Sequence, residues 1–68
     1  MVNEIVKTEY YMGFEIVVIA EDLDYEDGGF YAEVYINGDR LVGFDSGIIY
    51  DSDEDALNAA QEYIEEIY

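Results

Sequence analysis

Apolar and polar positions alternate along the first two thirds of the chain, whereas the last third repeats every three to four residues. Residues 3–11 (NEIVKTEYY) alternate loosely, and residues 14–20 (FEIVVIA) follow a Met-Gly pair that favours a tight turn. The second segment is apolar on both faces near its middle, which is typical of a central strand. These two segments are predicted to form a β-hairpin.

A second hairpin is predicted around the pair Asn37-Gly38. Residues 30–36 (FYAEVYI) alternate cleanly, and a type I′ turn requires positive φ at both central residues, which Asn and Gly tolerate. Residues 40–45 are expected to return as a fourth strand. Two interpretations stay open for residues 47–50 (GIIY), which either extend that strand after a bulge or cross over to a helix.

A helix is predicted from Asp51 onward. Ser52 followed by Asp55 resembles a capping box, and acidic residues crowd the first turn, where the helix dipole favours them. The stripe that should pack on the sheet consists of Leu57, Ala60, Ile64 and Ile67. The fold class is therefore α+β: a curled antiparallel sheet of three to four strands with one C-terminal helix on one face (ββββα), in a single domain spanning residues 1–68.

The charge of the chain is extreme for its size. It has 18 acidic residues against Lys7 and Arg40, which leaves a formal charge of -16 on 68 residues. Solubility alone requires a net charge of about 2 to 8 in a small domain. Since 51% of the residues are apolar, the chain is expected to fold despite this charge. The excess therefore calls for a functional explanation.

Composition argues against several classes of function. The chain has no cysteine and no histidine, which removes thiolate chemistry and the commonest ligands of zinc. A domain this small offers little cleft in which to desolvate a catalytic carboxylate, so we expect no enzymatic activity and no cofactor. Two basic residues cannot bind nucleic acid or an anionic membrane. No apolar run is long enough to cross a bilayer, and a cytoplasmic location is expected.

Three acidic patches are the candidate contacts with a partner. Alternate residues of a strand lie about 6.8 Å apart and neighbouring strands about 4.8 Å apart, so carboxylates on the sheet face away from the helix would form a regular negative array. Its spacing is comparable to that of DNA phosphates, and tyrosines among them could stack on arginine. The sequence therefore predicts a nucleic-acid mimic that binds a basic, nucleic-acid-binding protein, as a monomer or as a homodimer. The candidates are Asp22, Asp24, Glu26 and Asp27 in a loop, Glu15, Tyr31, Glu33 and Tyr35 on the open sheet face, and Asp51, Asp53, Glu54 and Asp55 at the helix start. Of the tyrosines, Tyr31 and Tyr35 are expected to be exposed, whereas Tyr63 and Tyr68 are candidates for packing.

Two other interpretations of the acidic residues stay open. Asp22, Asp24, Glu26 and Glu33 match positions 1, 3, 5 and 12 of a calcium-binding loop, although Asp27 stands where that loop requires glycine. Alternatively, the acidic surface is an adaptation to a salty cytoplasm, which predicts charge spread evenly around the molecule.

The chain resembles two kinds of known protein. In size, acidity, tyrosine content and lack of cysteine it looks like the small phage-encoded DNA mimics, including several anti-CRISPR and anti-restriction proteins. That resemblance implies an inhibitor, in the host cytoplasm, that blocks DNA or PAM binding by a CRISPR effector or occupies a restriction enzyme. The segments GGFYAEVYI and DSDEDALNAAQEYIEEIY are similar to a strand and a helix of the HicB antitoxin family, which implies β-β-β-α topology and an antitoxin-like acidic binding protein.

Overall fold

A computed structural model of the chain describes residues 3–21, 29–44 and 47–68. Four antiparallel strands form one open sheet in the order β1-β2-β3-β4. The elements are β1 (Asn3–Tyr11), β2 (Phe14–Glu21), β3 (Gly29–Ile36), β4 (Asp39–Arg40) and α1 (Asp53–Ile67). This is the predicted ββββα arrangement. Within the described residues, no helix has the length and apolar character needed to cross a membrane.

The two hairpins turn at the predicted dipeptides. Asn37 and Gly38 have φ values of 54° and 85°, and Met12 and Gly13 have φ values of 53° and 86°. Both turns therefore place two consecutive residues in the left-handed region, as type I′ turns require. Methionine rarely adopts this conformation, so Met12 is less favourable in the first turn than Asn37 is in the second.

The core lies between α1 and one face of the sheet. Phe14, Ile16 and Val18 of β2 and Ala32 and Val34 of β3 are all buried there. The helix contributes one buried stripe, which consists of Ala56, Leu57, Ala60 and Ile64. The central position of β2 is confirmed, because this strand pairs with β1 on one side and with β3 on the other.

The predicted stripe of the helix is wrong at its last residue. Ile67 is 48% exposed, because the helix ends there and Tyr68 donates its backbone N–H to the carbonyl of Ile64. Tyr68 itself is 80% exposed, although its ring meets the edge of Phe14. The helix begins at Asp53, two residues after the predicted start at Asp51, but the predicted cap is confirmed: Ser52 is the N-cap, and its Oγ accepts a hydrogen bond from the N–H of Asp55 at 3.1 Å.

The predicted fourth strand over residues 40–45 is also wrong in extent. Pairing with β3 stops after the N–H of Leu41 donates to the carbonyl of Val34, and the chain then turns as Phe44 donates to the carbonyl of Leu41. Leu41 and Phe44 both pack against the core, and a regular strand would have pointed residues three apart to opposite faces. Burial of both side chains therefore favours the turn.

The open interpretations of residues 47–50 resolve as a crossover. Tyr50 forms one antiparallel bridge with Phe30, in which each residue donates its N–H to the carbonyl of the other. The chain approaches the edge of β3 closely there, since a Cβ added to Gly29 would lie 2.6 Å from the carbonyl oxygen of Tyr50. The segment thus closes part of the β3 edge before α1 begins.

Strand β1 lies at the edge of the sheet and contains a bulge. Ile5 pairs with Ile19, but the next pair is Lys7 with Val18, so Val6 is the extra residue. The bulge changes which side chains point to which face. Ile5 therefore lies on the face opposite the helix, whereas Tyr11 packs toward the core and donates a hydrogen bond from its hydroxyl to Glu65.

Candidate partner-binding surfaces

Two surfaces on opposite sides of the sheet contain the described candidate residues. We call the sheet face away from α1 the open face, and the exposed carboxylates of α1 and its N-terminal flank the acidic helix surface. The open face includes Ile5, Glu15, Val17, Ile19, Tyr31, Glu33 and Tyr35. The acidic helix surface consists of Asp51, Asp53, Glu54, Asp55, Glu62, Glu65 and Glu66.

The strand register decides which side chains of the open face are neighbours. Glu15 lies opposite Tyr35, Val17 opposite Glu33 and Ile19 opposite Tyr31. The four candidates Glu15, Tyr31, Glu33 and Tyr35 therefore share one face, as predicted. However, Val17 and Ile19 separate the acidic positions along β2 and are themselves buried. The open face is thus not the regular array of carboxylates that the sequence suggested.

A groove of about 450 Å³ runs along the open face. Its apolar floor is formed by the buried Val17 and Ile19, while Ile5, the tyrosines and the glutamates line its sides. Tyr31 and Tyr35 are half-buried rather than exposed, because their rings form part of this wall. The expectation that both tyrosines would be exposed is therefore wrong.

Glu33 is the best-connected carboxylate of the open face. The hydroxyl of Tyr35 donates to its Oε1 at 2.9 Å, and the Nη1 of Arg40 lies 3.5 Å from its Oε2. The hydrogen bond to Glu33 raises the pKa of Tyr35 above the ordinary value, helped by burial and by the neighbouring negative charges, while Arg40 opposes the rise. The pKa of Tyr31 is raised first by burial and then by the charges of Glu33 and Glu21. Both phenols are therefore neutral donors at physiological pH.

The acidic helix surface has a simpler composition. All seven of its carboxylates are exposed, and residues 47–68 contain no lysine or arginine. With a rotation of about 100° per residue, Asp55, Glu62 and Glu66 form one ridge opposite the buried stripe. Sequence reasoning nominated the four residues at the helix start but not Glu62, Glu65 and Glu66. Their position outside the apolar stripe was the signal that could have identified them.

The acidic residues are unevenly distributed in the described part of the chain. Five of the 18 lie outside it, namely Asp22, Asp24, Glu26, Asp27 and Asp45, so the predicted loop patch falls outside the described residues. More than half of the others belong to the acidic helix surface. Lys7 and Arg40 form their ion pairs elsewhere, Lys7 with Glu9 at 3.3 Å and Arg40 with Glu33.

The calcium hypothesis rests mostly on residues that the structure does not describe. Asp22, Asp24 and Glu26 lie outside the described ranges, and Glu33 lies within β3 beside Arg40. Among residues 3–21, 29–44 and 47–68, no three acidic side chains form a group that could hold a metal ion.

Comparisons of the chain with protein-family models, with curated proteins and with solved structures found no match.

Proposed function

We propose that this protein is a non-enzymatic inhibitor that mimics nucleic acid and occupies the basic groove of a nucleic-acid-binding protein. The acidic helix surface is the observation that carries the proposal. Its seven exposed carboxylates form an anionic surface with no basic residue among them. Such a surface would attract a basic groove, speed association and make binding sensitive to salt.

The spacing of the carboxylates also supports mimicry. The helix has 15 residues and is thus about 22 Å long. Its carboxylates fall into two clusters, one around Asp53 and Asp55 and one around Glu62 and Glu66. At about 1.5 Å per residue, Asp55 and Glu62 lie about 10 Å apart along the axis. That distance is comparable to the width of about 12 Å of the major groove, which phosphates line on both sides.

A partner of this kind would be found in the cytoplasm of a host cell. The compositional resemblance to small phage inhibitors favours a CRISPR effector or a restriction enzyme, whose DNA-binding channels are basic. An antitoxin-like role would also place a basic, nucleic-acid-handling protein against this surface. An acidic surface adapted to high salt would bind no such protein and would serve only to keep the chain hydrated.

The test begins with capture from a nuclease-treated bacterial lysate on the immobilised protein at moderate salt. Each captured protein is then offered duplex DNA and the soluble chain in competition. We expect the two to exclude each other. A captured protein that binds both at the same time would rule out mimicry, and capture of no nucleic-acid-binding protein would favour adaptation to salt.

Two matched variants test where the partner binds. The first removes three charges from the outer ridge of the helix by the substitutions Asp55→Asn, Glu62→Gln and Glu66→Gln. The second removes the same number from the sheet by Glu4→Gln, Glu9→Gln and Asp39→Asn. Both have the same net charge, so a loss of affinity in the first alone assigns binding to the helix. Equal losses in both would mean that only total charge matters.

A further inference from the structure

The groove of the open face lies on the opposite side of the sheet from the acidic helix surface and has different chemistry. Its floor of Val17 and Ile19 is apolar, Ile5 extends the apolar lining, and its volume of about 450 Å³ falls within the range typical of ligand sites. The groove extends from Asn3 at one end to Gly38, in the turn of the second hairpin, at the other. A long side chain with an apolar stem could lie along this floor.

Two carboxylates flank the groove. Glu15 lies opposite Tyr35 and Glu33 lies opposite Val17, so the two glutamates are diagonal neighbours on β2 and β3. Diagonal neighbours in an antiparallel pair are about 7 to 8 Å apart, a separation that one planar cation can bridge. The carboxylate of Glu15 has no hydrogen bond or ion pair with another side chain in the described part of the chain, so it is available to a ligand.

Arg40 provides an internal example of the cation that suits this face. It lies opposite Tyr35 across the pairing of β3 with β4, and its guanidinium approaches Glu33 from the β4 side. The separation of 3.5 Å exceeds the 2.7 to 2.9 Å of a strong charge-assisted hydrogen bond, and the Arg40 side chain is 53% exposed. This pair is therefore weak, and Glu33 retains capacity for a second cation.

The tyrosines narrow the choice of cation. Tyr31 and Tyr35 line the groove with neutral rings, on which a guanidinium can stack while it donates to a carboxylate. An ammonium group donates as a point charge and does not stack in this way. An anion would be repelled by Glu15 and Glu33. The combination of apolar floor, aromatic walls and two carboxylates thus matches the stem and the planar head of arginine.

We propose that the groove of the open face binds an arginine side chain of the partner protein. This inference rests on the proposed function in one respect, namely that the partner is a basic protein. It adds a second contact, because the acidic helix surface would attract the partner through net charge while the groove would select one particular side chain. The occupant is a protein side chain because the groove is shallow, open at the protein surface and complementary in charge to a basic partner.

The test is a titration of the isotope-labelled full chain with the peptide acetyl-Gly-Arg-Gly-amide, followed by NMR chemical shifts. The control peptide replaces arginine by citrulline, which keeps the shape but removes the charge. We expect the arginine peptide to shift the amides of Val17, Ile19, Tyr31 and Tyr35, and the citrulline peptide to have little effect. Shifts confined to residues 53–67, or equal shifts with both peptides, would overturn the proposal.

Single-charge variants assign the contacts. Glu15→Gln should weaken binding of the arginine peptide about threefold to tenfold, the loss expected for one partly exposed charge-assisted hydrogen bond. Glu4→Gln removes the same charge from the opposite face of the sheet, where Glu4 pairs with Ala20, and should leave the affinity within about twofold, since exposed charges away from the groove are largely screened. If both variants bind equally well, the groove does not hold the cation.

Substitution of Arg40, with Lys7 as the matched control, tests whether Arg40 competes with the arginine peptide for Glu33. Arg40→Gln frees Glu33 and should tighten binding of the arginine peptide, whereas Lys7→Gln makes the same charge change at the Glu9 pair and should not. Equal effects would indicate a response to net charge and would contradict the proposal. Failure of these titrations, together with DNA-competitive capture of a partner, would disprove the arginine site while leaving the proposed function standing.

Discussion

The C-terminal end of α1 offers a direct test of whether charge is maintained at the expense of stability. The last turn contains Glu65 and Glu66 and no basic residue, although the negative end of the helix dipole disfavours carboxylates there. Glu65 accepts the hydrogen bond from Tyr11, so Glu66, which is exposed, is the better position to change. We expect Glu66→Lys to stabilise the protein.

The magnitude follows from four contributions. Removing a carboxylate from the last turn and adding a cation there are each worth about 0.3 to 0.5 kcal/mol. The introduced lysine would also lie four residues after Glu62. Removing the repulsion between the two carboxylates and adding an attraction in its place are each worth about 0.2 to 0.5 kcal/mol. The total is about 1 to 2 kcal/mol. At about 4 to 8 °C per kcal/mol for a domain of this size, Tm should rise by about 4 °C or more.

Thermal unfolding followed by far-UV circular dichroism at low ionic strength measures this difference. Glu66→Gln serves as the control and should give about half of the rise, since it removes the carboxylate without adding a cation. At about 1 M salt, where the Debye length is about 3 Å, the difference should largely disappear. A Tm that is unchanged at low salt, or a rise that persists at high salt, would refute this account. Under the proposed function, the same variant should bind its partner more weakly although it is more stable.

Three further changes test other parts of the fold. Ser52→Ala removes the N-cap and should cost about 1 kcal/mol in urea denaturation, whereas Ser52→Asp should keep most of that stability. Met12→Asn should stabilise the protein by about 0.5 to 1 kcal/mol because asparagine tolerates positive φ better than methionine does. The reverse change at the other turn, Asn37→Met, should destabilise the protein. Equal effects of the two variants on the free energy of unfolding would contradict this explanation. Folding raises the pKa of Tyr35, which means that the folded state favours the neutral phenol. This preference stabilises the fold in full below pH of about 10, and the stabilisation is lost as pH rises through the pKa of the folded state. Ultraviolet titration of tyrosinate should show the pKa of Tyr35 falling toward its ordinary value in Glu33→Gln, and an unchanged titration would exclude Glu33 as the main cause.

Much of the fold was predictable because local signals and global packing agree. Asn37-Gly38 specifies its turn by backbone conformation, and Ser52 specifies the start of the helix by its hydrogen bond to Asp55. Predictions failed where packing overrides the local pattern. Residues 41–44 looked like a strand, yet Leu41 and Phe44 both pack against the core. Likewise, the helical stripe included Ile67, which is the last residue of the helix and is 48% exposed.

The alternation predicted which residues lie on the open face, but it did not predict which of them are neighbours. Alternation placed Glu15, Tyr31, Glu33 and Tyr35 on one face, and the structure confirms this. Their pairing depends on the register of β2 against β3, which neither two-residue turn sets, because residues 22–28 join these two strands. The bulge at Val6 shifts the pairing of β1 with β2 and so places Ile5 opposite Ile19, and a bulge leaves no signal in the alternation of a loosely patterned strand. The groove consequently could not be predicted, nor could the pairing of Arg40 with Glu33.

The edge position of β1 gives the high charge a consequence for the behaviour of the protein in solution. This strand has nine residues, and one whole side of its backbone has no partner strand within the described sheet. Ile5 and Val6 are exposed beside that free edge, an arrangement that invites other chains to add on. At neutral pH, mutual repulsion between strongly anionic molecules opposes such addition. Acidification to the isoelectric point of about 4.1, where the net charge vanishes, would remove that barrier, and we expect the protein to assemble there into fibrils through β1.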